Sequence, residues 1–243
     1  MQLSAALHGY GVDDMSLAPE LFDFGTYERL TTPVPPGIET PLGRFTLSAT
    51  LQPPMQAAAM DHVRAGDVDL YMWDAAAARI ELRIATPALA LPDGMRISGA
   101  RAAMWRVRSR QPLSVVYLSC ELVTPTVREP VPESGQGLES LLWEAEDINV
   151  SLGTPDAEGL LYFSQDGAPL PASWTARDAE LSTISLVEYR PRGLRVTLPS
   201  LAAGELAQTH FVIAWAPPSA TDATWFAVDQ APGALLRPGD AGV

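Results

Sequence analysis

The sequence contains no lysine, and all 16 of its basic residues are arginine. This absence excludes every reaction that requires a lysine amine, including Schiff-base chemistry, pyridoxal-phosphate attachment and a phosphate-loop lysine. A bias of this kind is typical of a GC-rich genome, whose codons favour arginine and alanine. Any chemistry in this protein therefore has to come from carboxylates, arginine, tyrosine or histidine.

Cysteine and histidine are also scarce. Cys120 is the single cysteine, and the three histidines are His8, His62 and His210. A single cysteine cannot form an intrachain disulfide, and no group of thiolates or imidazoles is large enough for a typical zinc site. We therefore expect neither a cofactor nor a metal ion, and we expect Cys120 to be a buried, inert thiol.

Acidic residues outnumber basic ones by 29 to 16, which gives a net charge of −13. This charge argues against nucleic acid or an anionic membrane as a partner, because both repel it at long range. The segment Met1–Asp14 lacks the cationic and apolar stretches of a signal peptide. No apolar run approaches the ~18 residues of a membrane helix. The sequence thus predicts a cytoplasmic protein.

Short alternations of apolar and polar residues, separated by proline- and glycine-rich turns, indicate the fold class. Arg44–Gln52 and Arg79–Ile84 alternate with a period of two, and Leu113–Val123 is apolar enough for a central strand. Many short strands at regular spacing are typical of an antiparallel sandwich or barrel. Regular helix–strand alternation is missing, so a parallel dinucleotide-binding sheet is not expected. We predict an all-β fold.

Two segments of the chain repeat each other. Leu82–Trp105 and Leu194–Trp215 have five identical residues within their first nine positions, at a constant offset of 112 positions. The matched pairs are Leu82/Leu194, Arg83/Arg195, Pro87/Pro199, Leu89/Leu201 and Ala90/Ala202. We interpret the chain as two tandem antiparallel β-sandwich-like units, for which a duplication is one explanation. Whether the two units share a sheet or close into one barrel stays open.

Composition shifts suggest where these units begin and end, because proline- and glycine-rich stretches are typical of linkers. The predicted ranges are an irregular N-terminal arm and linker at 1–41, a first unit at 42–125, a linker at 126–140, a second unit at 141–233 and a flexible tail at 234–243. We also expect a short helix at Leu138–Trp143, a strand at Leu160–Ser164 and a last strand at Trp225–Val228.

The repeated segments resemble a pattern of immunoglobulin-like sandwiches. In the first copy the residues are LALPDG followed by AAMWRV, and in the second they are LP-x-L-x-x-G-E followed by HFVIAW. In that pattern one strand ends in a Leu-Pro turn and the next central strand starts after a glycine. The resemblance covers about 25 residues in each half. It implies an architecture and no function.

Catalytic candidates are few, because no nucleophile elbow, zinc-binding helix or phosphate loop is present. In the adjacent pair Asp61 and His62, a carboxylate could orient an imidazole for proton transfer. The simpler alternative is an exposed, solvated pair. His210 lies in an apolar run and is either a base lining a cavity or a core histidine with satisfied hydrogen bonds.

Five arginines lie within 15 residues of this acidic chain. They are Arg96, Arg101, Arg106, Arg108 and Arg110. The last three share one strand face, because side chains alternate with a period of two. Such a row could bind an acidic partner or a carboxylate ligand. It could equally pair with the protein's own carboxylates or protect an edge strand. We take the five as partner-binding candidates.

These observations favour a non-catalytic accessory protein that binds a protein partner through sheet edges and the arginine-rich face. One alternative is an enzyme with a small-molecule pocket between the units and Asp, Glu or His acid–base chemistry. A second alternative is a module that binds carbohydrate or another small molecule on exposed tryptophan. The simplest role for the six tryptophans is core packing.

Overall fold

The computed structural model describes residues 28–32, 34–52, 54, 60–89, 91–123, 129–135, 137–165, 170–171, 174, 185–230 and 235. Within these residues the chain forms fourteen strands, two α-helices and a short 3-10 turn. The strands are β1 Glu28–Arg29, β2 Gly37–Thr40, β3 Gly43–Gln52, β4 Met60–Ala65, β5 Val68–Asp74, β6 Ala78–Ala85, β7 Gly99–Ser109, β8 Val115–Leu122, β9 Val131–Gly135, β10 Leu138–Glu144, β11 Asn149–Pro155, β12 Val187–Arg190, β13 Gly193–Leu198 and β14 Leu206–Ala216. The helices are α1 Ala157–Gln165 and α2 Thr221–Val228.

The strands form two antiparallel sheets. The large sheet has the order β1-β4-β5-β6-β7-β14-β11-β10-β9, and the small sheet has the order β12-β13-β8-β3-β2. A single apolar cluster, which includes Phe45, Leu118, Trp105 and Phe211, takes side chains from both sheets. The prediction of an all-β, antiparallel, sandwich-like fold is therefore confirmed.

Both predicted units contribute strands to both sheets. In the large sheet, β7 of the first unit pairs with β14 of the second over ten residue pairs, from Arg108–Leu206 to Gly99–Trp215. In the small sheet, β8 lies between β3 and β13. The sequence left open whether the two units share a sheet, and the pairing shows that they share two. The range predicted as a linker, 126–140, contains β9, which extends the large sheet.

The outer face of the large sheet carries a second apolar cluster. Side chains from its central strands, such as Met104 and Val212, pack against Val228 at the end of α2 and against Leu235. Leu235 is fully buried, although it lies in the range predicted as a flexible tail. The side chain of Arg83 holds this residue in place, because its Nη1 atom donates to the Leu235 carbonyl oxygen at 3.0 Å.

Three predicted elements have the wrong type. Leu138–Trp143, predicted as a helix, belongs to strand β10, whereas Leu160–Ser164 and Trp225–Val228, predicted as strands, belong to α1 and α2. The reason is that short apolar runs have no reliable periodicity, so a strand buried on both faces and a buried helix look alike. Among the residues described, neither helix is long and apolar enough to cross a membrane.

Candidate functional site

His62 on β4 is held by an ion-pair network inside the sandwich. Its Nε2 atom lies 2.7 Å from Oδ1 of Asp69, and Arg64 donates through Nε to the same oxygen at 2.6 Å. The hydrogen bond and the charge of Asp69 raise the pKa of Arg64. His62 is 1% exposed. Asp61, the partner predicted for His62, points to the opposite face, because neighbouring residues of a strand alternate.

The His62 ring is also part of an aromatic stack. It stacks on Tyr71 with ring centroids 4.1 Å apart, and Trp73 and Trp105 continue the stack at 6.2 Å and 5.9 Å. Burial, together with the charge of Asp69, raises the pKa of Tyr71 to about 12. The imidazole is therefore enclosed between a carboxylate and an aromatic ring and has almost no contact with solvent, which suits a structural role.

His210 on β14 faces the outer side of the large sheet, opposite Met104 on β7. It is 1% exposed, and burial lowers its pKa to about 3. The ring of Phe163 on α1 lies 5.9 Å away, between centroids. Within the described part of the chain, its Nδ1 atom has no hydrogen-bond partner. His210 is thus a neutral imidazole in apolar surroundings and is not brought near His62, which faces the inner side of the sheet.

The predicted arginine face is partly buried. Arg106 on β7 pairs directly with Glu81 on β6, and both side chains lie on the outer face of the large sheet, as the period of two predicts. Arg106 is 2% exposed and Glu81 is 4% exposed. Arg79 forms an ion pair with Glu81 at 2.5 Å between Nε and Oε1. Burial raises the pKa of Glu81, and the arginines beside it oppose that shift. Arg108, half-buried, lies opposite Arg79 on the neighbouring strand.

Two of the other predicted arginines pair with acids of the same chain. Arg101 lies 3.4 Å from Asp67, measured from Nη1 to Oδ2. Arg110 lies 2.6 Å from Asp74, measured from Nη2 to Oδ1. These pairs match the alternative in which the arginines neutralise the protein's own carboxylates. The partner-binding role of the five arginines stays a prediction.

Arg96, the fifth member, borders a cavity of about 340 Å³. Arg96 is exposed and has no ion-pair partner among the residues described. One wall is the turn Gly94–Arg96 before β7, and the other is Pro218–Ala223, which covers the short 3-10 turn and the start of α2. The backbone N–H of Ser98 donates to the Trp215 carbonyl at 2.8 Å, which ties the two walls together.

Exposed apolar side chains occur on three elements near the open edge of the large sheet, where β9 is the last strand. Val131 on β9 is 48% exposed, Tyr189 on β12 is 38% exposed and Phe226 on α2 is 40% exposed. The Tyr189 hydroxyl donates to the Glu133 carbonyl oxygen at 3.1 Å, which places this ring beside β9. We call Val131, Tyr189 and Phe226 the β9 patch.

Helix α2 approaches the β9 patch from the outer face. A Cβ on Gly135 would lie 3.8 Å from the ring of Trp225. Asp222 is close enough to contribute to the raised pKa of Glu133, after burial and the charge of Glu144. Phe226 follows Asp222 by one helical turn and therefore shares its side of the helix.

Sequence reasoning missed the β9 patch. It assigned β9 to a linker and α2 to a strand, so their exposed side chains could not be placed on one surface. The one available signal was Val131, an apolar residue in a polar stretch that is rich in proline and glutamate. That signal does not distinguish an edge strand from a linker.

The tryptophans pack mainly into the core. Trp105, Trp143 and Trp174 are buried, and Trp73, Trp215 and Trp225 are half-buried. Among the residues described, no group of three or more His, Cys, Asp or Glu side chains could hold a metal ion.

Comparisons with known proteins assign neither a family nor a function to this chain. No family model matches the sequence, and no curated protein matches it. A solved structure described as "Putative kojibiose phosphorylase from human microbiome" superposes with a TM-score of 0.44 and 7% sequence identity, covering 78% of this chain. The chain spans 25% of the length of that protein. A likeness this distant carries no argument about function.

Proposed function

We propose that this chain is a non-catalytic interaction module that binds a protein partner at the β9 patch. The observation that carries the proposal is the presence of three exposed apolar side chains on β9, β12 and α2, the elements that border one sheet edge. The enclosure of His62 and His210 supports a non-catalytic role, because the two predicted bases have almost no contact with solvent.

The chemistry of the patch favours a partner with basic side chains around an apolar centre. Protein interfaces typically place aromatic and aliphatic groups centrally and charged groups at the rim. Glu133 lies on β9, Glu139 contacts the Tyr189 hydroxyl and Asp222 precedes Phe226 by one helical turn. The whole chain has a net charge of −13. Complementary charge accelerates association and selects the partner.

The edge of β9 favours docking through side chains over addition of a strand. Pro132 removes one backbone donor from this five-residue strand. The single hydroxyl proton of Tyr189 has two acceptors within reach, the Glu133 carbonyl oxygen and the Glu139 carboxylate. Native proteins commonly protect open edges with such devices.

The test is affinity capture from the native lysate with three forms of the tagged protein. The double variant Val131→Ser, Phe226→Ser removes the apolar centre of the patch. Tyr162→Ser is the matched control, because Tyr162 is 60% exposed on α1, outside the patch. We expect one stoichiometric partner with the unchanged protein and the control, reduced at high salt, and lost with the double variant. Capture of the same partner by the double variant would contradict the proposal.

Two further expectations accompany this proposal. A contribution of the arginines to partner binding would come from Arg96, and Arg96→Glu in the same capture experiment measures it. Reversing the charge of Arg106 would unfold the sheet rather than test binding, because its side chain is buried. The cytoplasmic location and the immunoglobulin-like character of the sandwich stay predictions.

A further inference from the structure

The cavity beside Arg96 has the features of a ligand site, and none of Val131, Tyr189 and Phe226 lines it. We propose that it binds a small zwitterion, a molecule that carries both a carboxylate and an ammonium group. Its volume of about 340 Å³ lies in the range of pockets that hold small molecules. Apart from Met95, the residues that line it are polar or small, and the two charged ones have opposite signs.

The walls of the cavity are held rigidly by the backbone. Gly94 has a φ of 84°, which lets the chain turn sharply before Arg96, and the Met95 N–H donates to the Pro92 carbonyl at 3.0 Å. This turn leads into β7, one of the two central strands of the large sheet. The opposite wall follows directly after β14, the other central strand. A site built on rigid elements does not lose affinity to ordering on binding.

Side-chain hydrogen bonds fix the wall formed by α2. Asn149 on β11 donates through Nδ2 to Oγ1 of Thr221 at 2.6 Å, and Thr221 donates in turn to the Pro218 carbonyl at 2.9 Å. One turn further on, the hydroxyls of Ser151 and Thr224 lie 2.7 Å apart. These bonds attach the first turn of α2 to the sheet, so Asp222 is carried on a fixed backbone.

The two charges of the cavity are available to a ligand. Arg96 on one wall and Asp222 on the other do not pair with each other, and neither has another ion-pair partner among the residues described. A simple anion would be attracted by Arg96 and repelled by Asp222, and a simple cation would meet the reverse. A zwitterion places its carboxylate against the guanidinium and its ammonium against the carboxylate, so it complements both walls.

The proposal is tested by NMR titration of the labelled protein with three zwitterions, L-glutamine, L-serine and γ-aminobutyrate. We expect at least one to shift the backbone signals of Gly94–Arg96 and Ala220–Ala223. For that compound, the N-acetylated form lacks the ammonium and the amide form lacks the carboxylate. Each should bind about fivefold more weakly, since an exposed charge pair contributes up to about one kcal/mol.

Variants of the protein provide the complementary half of the test. Arg96→Gln and Asp222→Asn should each weaken binding about fivefold. The matched controls Arg192→Gln and Asp93→Asn alter exposed residues outside the cavity lining and should bind like the unchanged protein.

Three results would overturn the proposal. The first is the absence of localised shifts with all three zwitterions. The second is equal binding of the charge-deleted compounds. The third is binding of a neutral polyol such as glycerol as tight as that of the zwitterions, with no loss in the two cavity variants. The partner-binding proposal is judged separately, because its variants change Val131 and Phe226, which do not line the cavity.

Discussion

Acidification should destabilise this protein through His210, and the substitution His210→Leu should remove that effect. Burial lowers the pKa of His210 to about 3, whereas a histidine in an unfolded chain has a pKa of about 6.5. Between these values the unfolded state binds a proton that the folded state does not. The stability contributed by the neutral ring is therefore fully present above the unfolded pKa and is lost as the pH falls.

The size of the effect follows from the same pKa values. A pH of about 5 lies ~1.5 units below the pKa of the ring in the unfolded chain, and each unit corresponds to about 1.36 kcal/mol. The free energy of unfolding therefore falls by about 2 kcal/mol. In a chain of this length, that loss lowers the melting temperature by roughly 4–8 °C. Leucine has a similar volume, and Nδ1 of His210 has no hydrogen-bond partner to lose within the described residues. The variant should therefore match the unchanged protein at neutral pH.

The assay is urea unfolding of both proteins at about pH 5 and about pH 7.5. The difference between the two proteins isolates His210, because every other side chain is the same in both. Equal losses of unfolding free energy in the two proteins would refute the reasoning. An independent check is the NMR titration of the ring protons, in which a His210 signal that titrates near its ordinary pKa would show that the ring is not buried as described.

Three further predictions concern the core of the sandwich. Gly193→Ala should cost more than about 3 kcal/mol or prevent folding, because a Cβ there would overlap the backbone of Cys120. The control Gly204→Ala, which has open space around a φ of 85°, should cost only about 1 kcal/mol in the same urea unfolding. Burial raises the pKa of the Cys120 thiol, so we expect labelling by a thiol reagent only at the rate of global unfolding, and fast labelling of the native protein would contradict this. Asp69→Ala should cost about 3 kcal/mol by urea unfolding, because it leaves the buried Nε2 of His62 without its partner; Asp69→Asn preserves that hydrogen bond and should cost less.

The sequence predicted those strands whose two faces differ. In β3, Phe45 and Leu47 face the core and Ser48 faces solvent, so alternation was visible. In β10, residues on both faces are buried, and Leu141 and Leu142 therefore follow each other without any polar position between them. Periodicity cannot identify such a strand.

For the candidate site, the sequence predicted which face of a strand each side chain lies on, but not whether that face is buried. Alternation correctly placed Arg106 on the same face as Arg108. It could not predict that this face is covered, because the covering groups come from distant parts of the chain. Arg83, one strand away, contacts Leu235, which follows it by 152 positions. Burial produced by such long-range contacts leaves no local pattern in the sequence.

The internal repeat shows the same limit at the level of topology. Ala102 and Val212 occupy equivalent positions in the two copies, as do Trp105 and Trp215, and the members of each pair are 110 positions apart. Ala102 and Val212 pair directly with each other across the β7–β14 ladder. β7 and β14, the second strands of the two copies, are therefore neighbours near the centre of the large sheet, and a local two-fold axis between them relates one to the other. The first strands separate, since β6 continues in the large sheet and β13 joins the small one.

Matched residues of the repeat consequently have different roles. Arg83 is 7% exposed and binds the carbonyl of Leu235. Its counterpart Arg195 is half-exposed, lies 4.9 Å from the centroid of the Tyr117 ring and pairs with Glu188. A repeated sequence specifies strand conformation, because alternation and turn residues act locally. The choice of sheet depends on which neighbours cover each face. A binding role found for an arginine in one copy therefore cannot be transferred to the other copy, and each position needs its own variant.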